Sequence, residues 1–222
     1  MPHADDGTDA ATLEDLRARG RELGGFLMVY KFALDELATK VDILREEITF
    51  GRGTSPIEHV SSRLKSLDSI VGKAKRRGIA VVPATLREQM HDIAGMRLVC
   101  SFVSDCYEVA EMITAQRDVT VLEVKDYIKH PKANGYRSLH LIVELPVFLS
   151  TGPVATKVEL QIRTVAMDFW ASTEHKIYYK YDAEVPAHLG AELTAAADAA
   201  RELDETMQRL HTEVRRPPAT WI

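Results

Sequence analysis

Lys157-Val158-Glu159-Leu160-Gln161-Ile162-Arg163 is the stretch on which the fold turns. Successive side chains of a strand point to opposite faces, so Val158, Leu160 and Ile162 are predicted on one side. Lys157, Glu159, Gln161 and Arg163 fall on the other. The segment from Ser138 to Leu149 divides in the same way: Leu139, Leu141, Val143 and Leu145 form an apolar row, with Ser138, His140 and Glu144 opposite beside Ile142. A half-exposed sheet edge would give this alternation with no function attached. If the two polar faces join, however, one side of the sheet becomes a wet floor carrying a carboxylate, an amide, an imidazole and a guanidinium. That mixture suits a metal–nucleotide site.

Working outward, Met96 to Val103 and Val119 to Ile128 read as further strands, with an amphipathic helix over Asp105 to Gln116 between the first of them and the second. Helix resumes at Thr164 and runs to Lys180. Ala187 to Val214 repeats Leu189, Leu193, Ala196, Ala200, Leu203, Met207, Leu210 and Val214, a heptad seam that serves either the helix's own domain or a subunit interface. On the N-terminal side, residues 1–12 read as a disordered tail. A helix from about Leu13 to Thr49 carries the stripe Tyr30, Leu34, Leu37, Val41, Leu44 and Ile48. Gly51, Gly53 and Pro56 break it. Ser55-Pro56-Ile57-Glu58 then reads as a capping box opening a second helix to Arg77, with Ile57, Val60, Leu64, Leu67, Val71 and Ala74 inward and Gly78 as its stop. Pro83 to His91 is a short third helix. The expectation is an α/β (α+β) fold in one domain over 13–215: helices 13–91, a mixed sheet core 92–163, and helices 164–215.

Bulk properties narrow the function. The chain has 222 residues, 45% hydrophobic and 27% charged, with a net charge of −5. This acidic balance makes RNA an unfavoured partner but allows a local basic pocket. Two cysteines, Cys100 and Cys106, cannot build a disulfide framework or a zinc site by themselves. No apolar run approaches the roughly 20 residues of a membrane span. Met1 to Thr12 lacks the basic start and apolar run of a signal peptide, so the expected compartment is the cytoplasm.

Cations and aromatics gather in two places. Asp126 to Arg137 combines Lys129, Lys132 and Arg137 with His130, Tyr127 and Tyr136 around an Asn134-Gly135 turn. Such a loop could hold polyphosphate and stack a base, though a plain solvated loop has a similar look. The predicted second helix carries Arg63, Lys65, Lys73, Lys75, Arg76 and Arg77. On an ideal helix Lys65 and Lys73 lie roughly 80° apart and Arg63 about 160° from Lys65, so they form no single row. Asp92, entering a strand with Arg97 five residues on, fits Mg²⁺ and nucleotide binding. The His91-Asp92 pair lacks the further ligands that a metal phosphohydrolase would need.

Read together, these segments resemble the synthetase domain of the RelA/SpoT homologue family, and in particular its single-domain small alarmone synthetases. The resemblance runs from about Phe26 to Leu210. It rests on Ser55-Pro-Ile-Glu-His-Val60 with Arg63-Leu-Lys65, Asp92-Ile-Ala-Gly-Met-Arg97, Asp126-Tyr-Ile128, Asn134-Gly-Tyr-Arg-Ser-Leu-His140, Val158-Glu-Leu-Gln-Ile-Arg-Thr164, and Phe169-Trp-Ala171 with Glu174-His175. It implies a nucleotidyltransferase-like fold and an Mg²⁺-dependent transfer of pyrophosphate from ATP to the 3′ hydroxyl of GDP or GTP, with GMP as a further candidate acceptor. By the same resemblance Arg63 and Arg97 would sandwich adenine, and Lys65 and Lys73 would hold the ATP phosphates. Asp92 and Glu159 would bind Mg²⁺, with Glu159 activating the acceptor hydroxyl. Tyr136 would stack on guanine, while Lys132, Asn134, His140 and Gln161 would line the acceptor side.

The resemblance also implies a homo-oligomer, with a tetramer expected before a dimer. Some small relatives are activated by bound alarmone through basic residues on the first helix and an aromatic before the Arg-x-Lys motif. Here those positions hold Ala38, Asp42 and His59, and Asp42 would repel phosphate. No segment has the length of the family's hydrolase domain, so synthesis without degradation is expected. Two other readings compete: nucleotidyl transfer on the same fold, and a catalytically silent module binding guanine nucleotide or RNA.

Overall fold

The structure is a computed structural model and describes residues 7–179 and 186–214. Its elements in chain order are α1 (Gly7–Arg52), β1 (Ile57–Leu64), α2 (Leu67–Arg77), α3 (Pro83–Gln89), β2 (Ala94–Cys100), α4 (Val103–Thr114), β3 (Thr120–Asp126), β4 (Leu139–Leu149), β5 (Gly152–Thr164), α5 (Val165–Tyr179) and α6 (Ala187–Val214). The five strands form one mixed sheet in the order β1-β2-β5-β4-β3. Only β2 and β5 pair in parallel; every other pair is antiparallel. This is the mixed sheet flanked by helices that the alternating segments predict.

One face of the sheet is largely apolar. Val158, Leu160 and Ile162 join Met96, Leu98, Leu141 and Val143 in a core closed by Tyr30, Leu37 and Val41 of α1 and by Val109 and Ile113 of α4. The stripe read along α1 therefore packs as expected, and that burial holds the long helix.

The N-terminal reading needs two corrections. Helix α1 begins at Gly7, inside the expected tail, while residues 1–6 lie outside the described residues. More consequentially, the predicted helix from Ser55 to Arg77 is two elements. Ile57–Leu64 is an edge strand paired with β2, and the helix starts only at Leu67, where the Ser66 hydroxyl accepts a hydrogen bond from the Ser69 backbone N–H at 3.3 Å. Of the six residues expected to face inward, Ile57 and Ala74 are buried, whereas Leu64 and Leu67 are more than one-third exposed. The three- and four-residue apolar spacing misleads because an edge strand with one wet face needs little apolar content. Two serines and the β-branched Ile57 and Val60 weaken any helical preference there. The Ser55 hydroxyl does accept from a backbone N–H, that of Ile57 at 3.0 Å, but this bond sits at a strand entry. The stop was read correctly: Gly78 adopts φ 67° and its N–H closes onto the carbonyls of Ala74 and Lys75.

At the C-terminus α6 spans the predicted residues, and its seam divides: Leu189, Leu193 and Ala200 are half-buried, with Ala200 packed on the domain, while the C-terminal half faces outward. Leu203, Met207, Leu210 and Val214 are exposed, whereas Ala197 and Asp204 are buried against the domain.

Candidate active site

The register of the sheet assembles the polar floor. Arg63, Gly95, Glu159 and Ile142 are successive partners across four strands, and Ser61, Arg97, Gln161, His140 and Lys125 form the next row across five. The rows are two residues apart on each shared strand, so their side chains share a face. Ser61, Ser62, Arg63, Arg97, Glu159 and Gln161 line a common cleft there. A Cβ on Gly95 would lie 3.9 Å from Arg63 Cγ, an ordinary contact, so the glycine serves to keep the floor low beneath the guanidinium.

With β1 a strand, the helical-wheel difficulty over the cations disappears. Lys65 follows β1, Lys73 lies on α2, and both reach the loop before β2, where each ammonium stands 2.5 Å from Asp92 Oδ2. Burial pushes the Asp92 carboxyl up, but the two lysines outweigh it and hold the group at about 2. Its second oxygen, Oδ1, is buried and has no hydrogen-bond partner among the described residues. Glu159 is likewise ionised: burial acts to raise it, and His140 and Gln161 bring it below the ordinary carboxylate range. Asp92 lies near enough to act against that lowering, so the two carboxylates share one electrostatic neighbourhood.

On the β4 side the polar groups form a connected chain. His140 Nδ1 is 3.5 Å from Glu159 Oε1, and the Gln161 amide donates to Glu159 Oε2 at 3.2 Å. His140 Nε2 is 2.7 Å from the Tyr136 hydroxyl. Arg163, buried beneath them, donates to that hydroxyl at 2.5 Å and to Gln161 Oε1 at 2.9 Å. Asp168, in the first turn of α5, accepts from Arg163 at 3.3 Å and pairs with Arg97 at 3.1 Å.

The loop between β3 and β4 carries the remaining predicted residues. Asn134 Oδ1 accepts from the Tyr136 N–H at 3.2 Å, and its amide donates to Glu174 on α5 at 3.2 Å. The Lys132 ammonium lies 4.7 Å from the centre of the Tyr136 ring and 4.8 Å from that of Tyr127. Lys132 thus sits on the aromatic pair and not among the groups around Glu159.

The predicted residues therefore fall into three connected groups: Arg63 and Arg97 with Glu159 and Gln161 in the cleft, Lys65 and Lys73 on Asp92, and Tyr136 and His140 on Glu159. Arg163 and Asp168 were not among the predicted site residues, yet they join the first group to the third. Arg163 was visible as a charge in the strand alternation; Asp168 had only its place in the first turn of the helix after it.

A cleft lined by two arginines and an ionised glutamate, with a lysine-paired aspartate in the same electrostatic neighbourhood, is chemically suited to a phosphorylated ligand. Residues 62–184 match the family model described as the region found in RelA/SpoT proteins. The chain belongs to the RelA/SpoT family. Among RelA/SpoT relatives, the GTP pyrophosphokinase YwaC of Bacillus subtilis (strain 168) is 49% identical over 202 residues, which cover 91% of this chain and 96% of YwaC. The crystal structure of the small alarmone synthetase 1 from Bacillus subtilis bound to its product pppGpp superposes with a TM-score of 0.80 at 39% identity, covering 88% of this chain and 100% of the other. The same synthetase bound to AMPCPP gives a TM-score of 0.74 at 38% identity over 88% and 98%. The nucleotidyltransferase-like expectation for the fold is met by these RelA/SpoT neighbours. Among the described residues no helix is long and apolar enough to cross a membrane.

Proposed function

We propose that this chain is a (p)ppGpp synthetase that transfers the β,γ-pyrophosphate of ATP to the 3′ hydroxyl of GDP or GTP, with GMP as a further acceptor. The observation that carries the reading is a cleft lined by Arg63, Arg97 and Glu159, with Lys65 and Lys73 gathered on Asp92 in the same electrostatic neighbourhood as Glu159. Pyrophosphoryl transfer asks mainly for in-line positioning and neutralisation of charge, and this set supplies both.

On the donor side, Arg63 and Arg97 stand on adjacent strands, Arg63 exposed and Arg97 paired with Asp168, and their guanidinium groups enclose an adenine, while Lys65 and Lys73 exchange Asp92 for phosphate oxygens. On the acceptor side Tyr136 stacks on guanine. Lys132, Asn134, His140 and Gln161 flank it. Glu159, held ionised, takes the proton from the 3′ hydroxyl. The 3′ oxygen then forms its bond to the β phosphorus as the bond from that phosphorus to the α,β-bridging oxygen breaks. The electron pair leaves with AMP.

A divalent cation, with Mg²⁺ as the ion of choice for hard carboxylate oxygens, fits the residues present. Asp92 Oδ1 is a buried acceptor without a donor, and Glu159 is the second anionic ligand of that neighbourhood. Bound there, Mg²⁺ would neutralise phosphate charge. The exposed row Leu203, Met207, Leu210 and Val214 on α6 supports a homo-oligomer, a tetramer before a dimer, which light scattering on the purified protein tests. Two buried free cysteines and nucleotide substrates suit the cytoplasm.

The deciding experiment is incubation with ATP, Mg²⁺ and each guanine nucleotide, with products resolved by anion exchange. Guanosine tetra- or pentaphosphate appearing in step with AMP is the expected result. Release of pyrophosphate in place of AMP would mean nucleotidyl transfer, and nucleotide binding without any product would mean a silent module.

A further inference from the structure

Asp204 is a buried carboxylate that the proposed reaction does not use. It lies on α6, its Oδ2 accepts from Thr164 at 3.0 Å, and it pairs with Arg137 at 3.3 Å. Arg137 immediately follows Tyr136, and its side chain is only 11% exposed. One residue to the other side of Tyr136, Gly135 adopts φ 86°, and a Cβ built there would lie 2.4 Å from the Ala197 Cβ, also on α6. The loop is thus gripped on both sides of its aromatic residue by one face of the last helix. Tyr136 itself packs against Trp170, Ala171 and Ala197, and the Trp170 indole donates to the Leu193 carbonyl, tying α5 to α6 behind the loop.

We infer that Asp204, acting through Arg137, is a positioning residue for the acceptor nucleotide: it fixes the loop that presents Tyr136, and so sets affinity for the guanine substrate from a helix that does not line the cleft. The inference rests on the reading of the 127–138 loop as the acceptor side. Its physical basis is that Arg137 cannot shed its charge and has no other ion-pair partner among the described residues, so losing the carboxylate leaves a buried cation to seek solvent and carry the loop with it. Burial raises the Asp204 carboxyl, with the Thr164 and Arg137 contacts only partly offsetting it.

The test is steady-state kinetics on Asp204→Asn with each substrate varied separately. The KM for GDP should rise about tenfold, because the asparagine oxygen can still accept from Arg137 but no longer neutralises it, with kcat at saturating GDP and the KM for ATP within about twofold of the parent. Equal changes in all three parameters, or no change, would overturn the inference. A thermal melt checks folding; should Asp204→Asn unfold, Asp204→Ser, which keeps a hydroxyl beside Thr164 and still leaves Arg137 without its carboxylate, is judged by the same split. Tyr136→Ala separates the two levels. If it leaves the KM for GDP unchanged, the acceptor-loop reading itself fails; if it raises that KM while Asp204→Asn does not, only the role of Asp204 is lost.

Discussion

The two sides of the cleft are built on different physical plans. Around Asp92 the contacts are ionic and few: two flexible lysines share one carboxylate oxygen, and Arg63 stands exposed at the end of an edge strand. Around Glu159 the contacts are hydrogen bonds in series, each group held by the next from Gln161 and His140 through Tyr136 to the buried Arg163. The proposed donor side holds mobile charge in store, and the proposed acceptor side holds a fixed geometry. The difference accords with the chemistry: the flexible triphosphate of ATP must be gathered and neutralised, whereas the acceptor hydroxyl must be aimed.

The largest effect should come from the fixed side. Glu159→Gln keeps the shape and its neighbours but removes the base, so kcat should fall by a factor of about 10²–10⁴ with nucleotide binding largely intact. Near-normal turnover would remove Glu159 from the mechanism. Next, Lys73→Met should raise the KM for ATP about tenfold to a hundredfold through loss of a charged phosphate contact, leaving the KM for GDP unchanged. A rise in both would erase the distinction between the two sides. Tyr136→Phe is smaller and sharper. The ring that would stack on guanine survives, but the hydroxyl between Arg163 and His140 is lost, so kcat should fall about threefold to tenfold at constant KM for GDP.

The last effect is on stability and leaves catalysis aside. Asp92 is held at about 2, below its ordinary value of 3.8, so in acid the unfolded chain takes up the proton first. Its contribution, on the order of 2 kcal/mol, is therefore present above about pH 4 and lost as pH falls towards 2. Urea midpoints measured at pH 5 and pH 2.5 should show that loss, and Asp92→Asn should flatten it.

What could be read from the sequence follows the range of the interactions. The polar floor was legible because alternation is a local property of each strand, and Glu159, Gln161 and His140 do share a face as read. The convergence of Lys65 and Lys73 on Asp92 was not, because it depends on β1 being a strand, and β1 buries almost nothing that would give it away. Asp168 and Asp204 were equally silent. Each is one acid on a helix until the tertiary fold sets Arg163 or Arg137 against it. In α6 the heptad spacing located the helix but not the whole of its inner face, which is chosen by Gly135 and Arg137, residues distant in the chain.

The single parallel pairing has a consequence for how the protein comes to exist. Strands β4 and β5 are joined by a tight connection and can zip together early, whereas β1 reaches its partner β2 across two short helices. Gly95 meets Glu159 only when β2 docks on β5, across an intervening helix and two strands. Such long-range closure is the slow kind of step in folding. The two halves of the cleft lie on opposite sides of that seam, so a chain that has not completed it holds cations without a base, or a base without cations. Activity and the last long-range contact of the sheet should arise together, and a stopped-flow refolding trace followed by AMP release would show them with one rate.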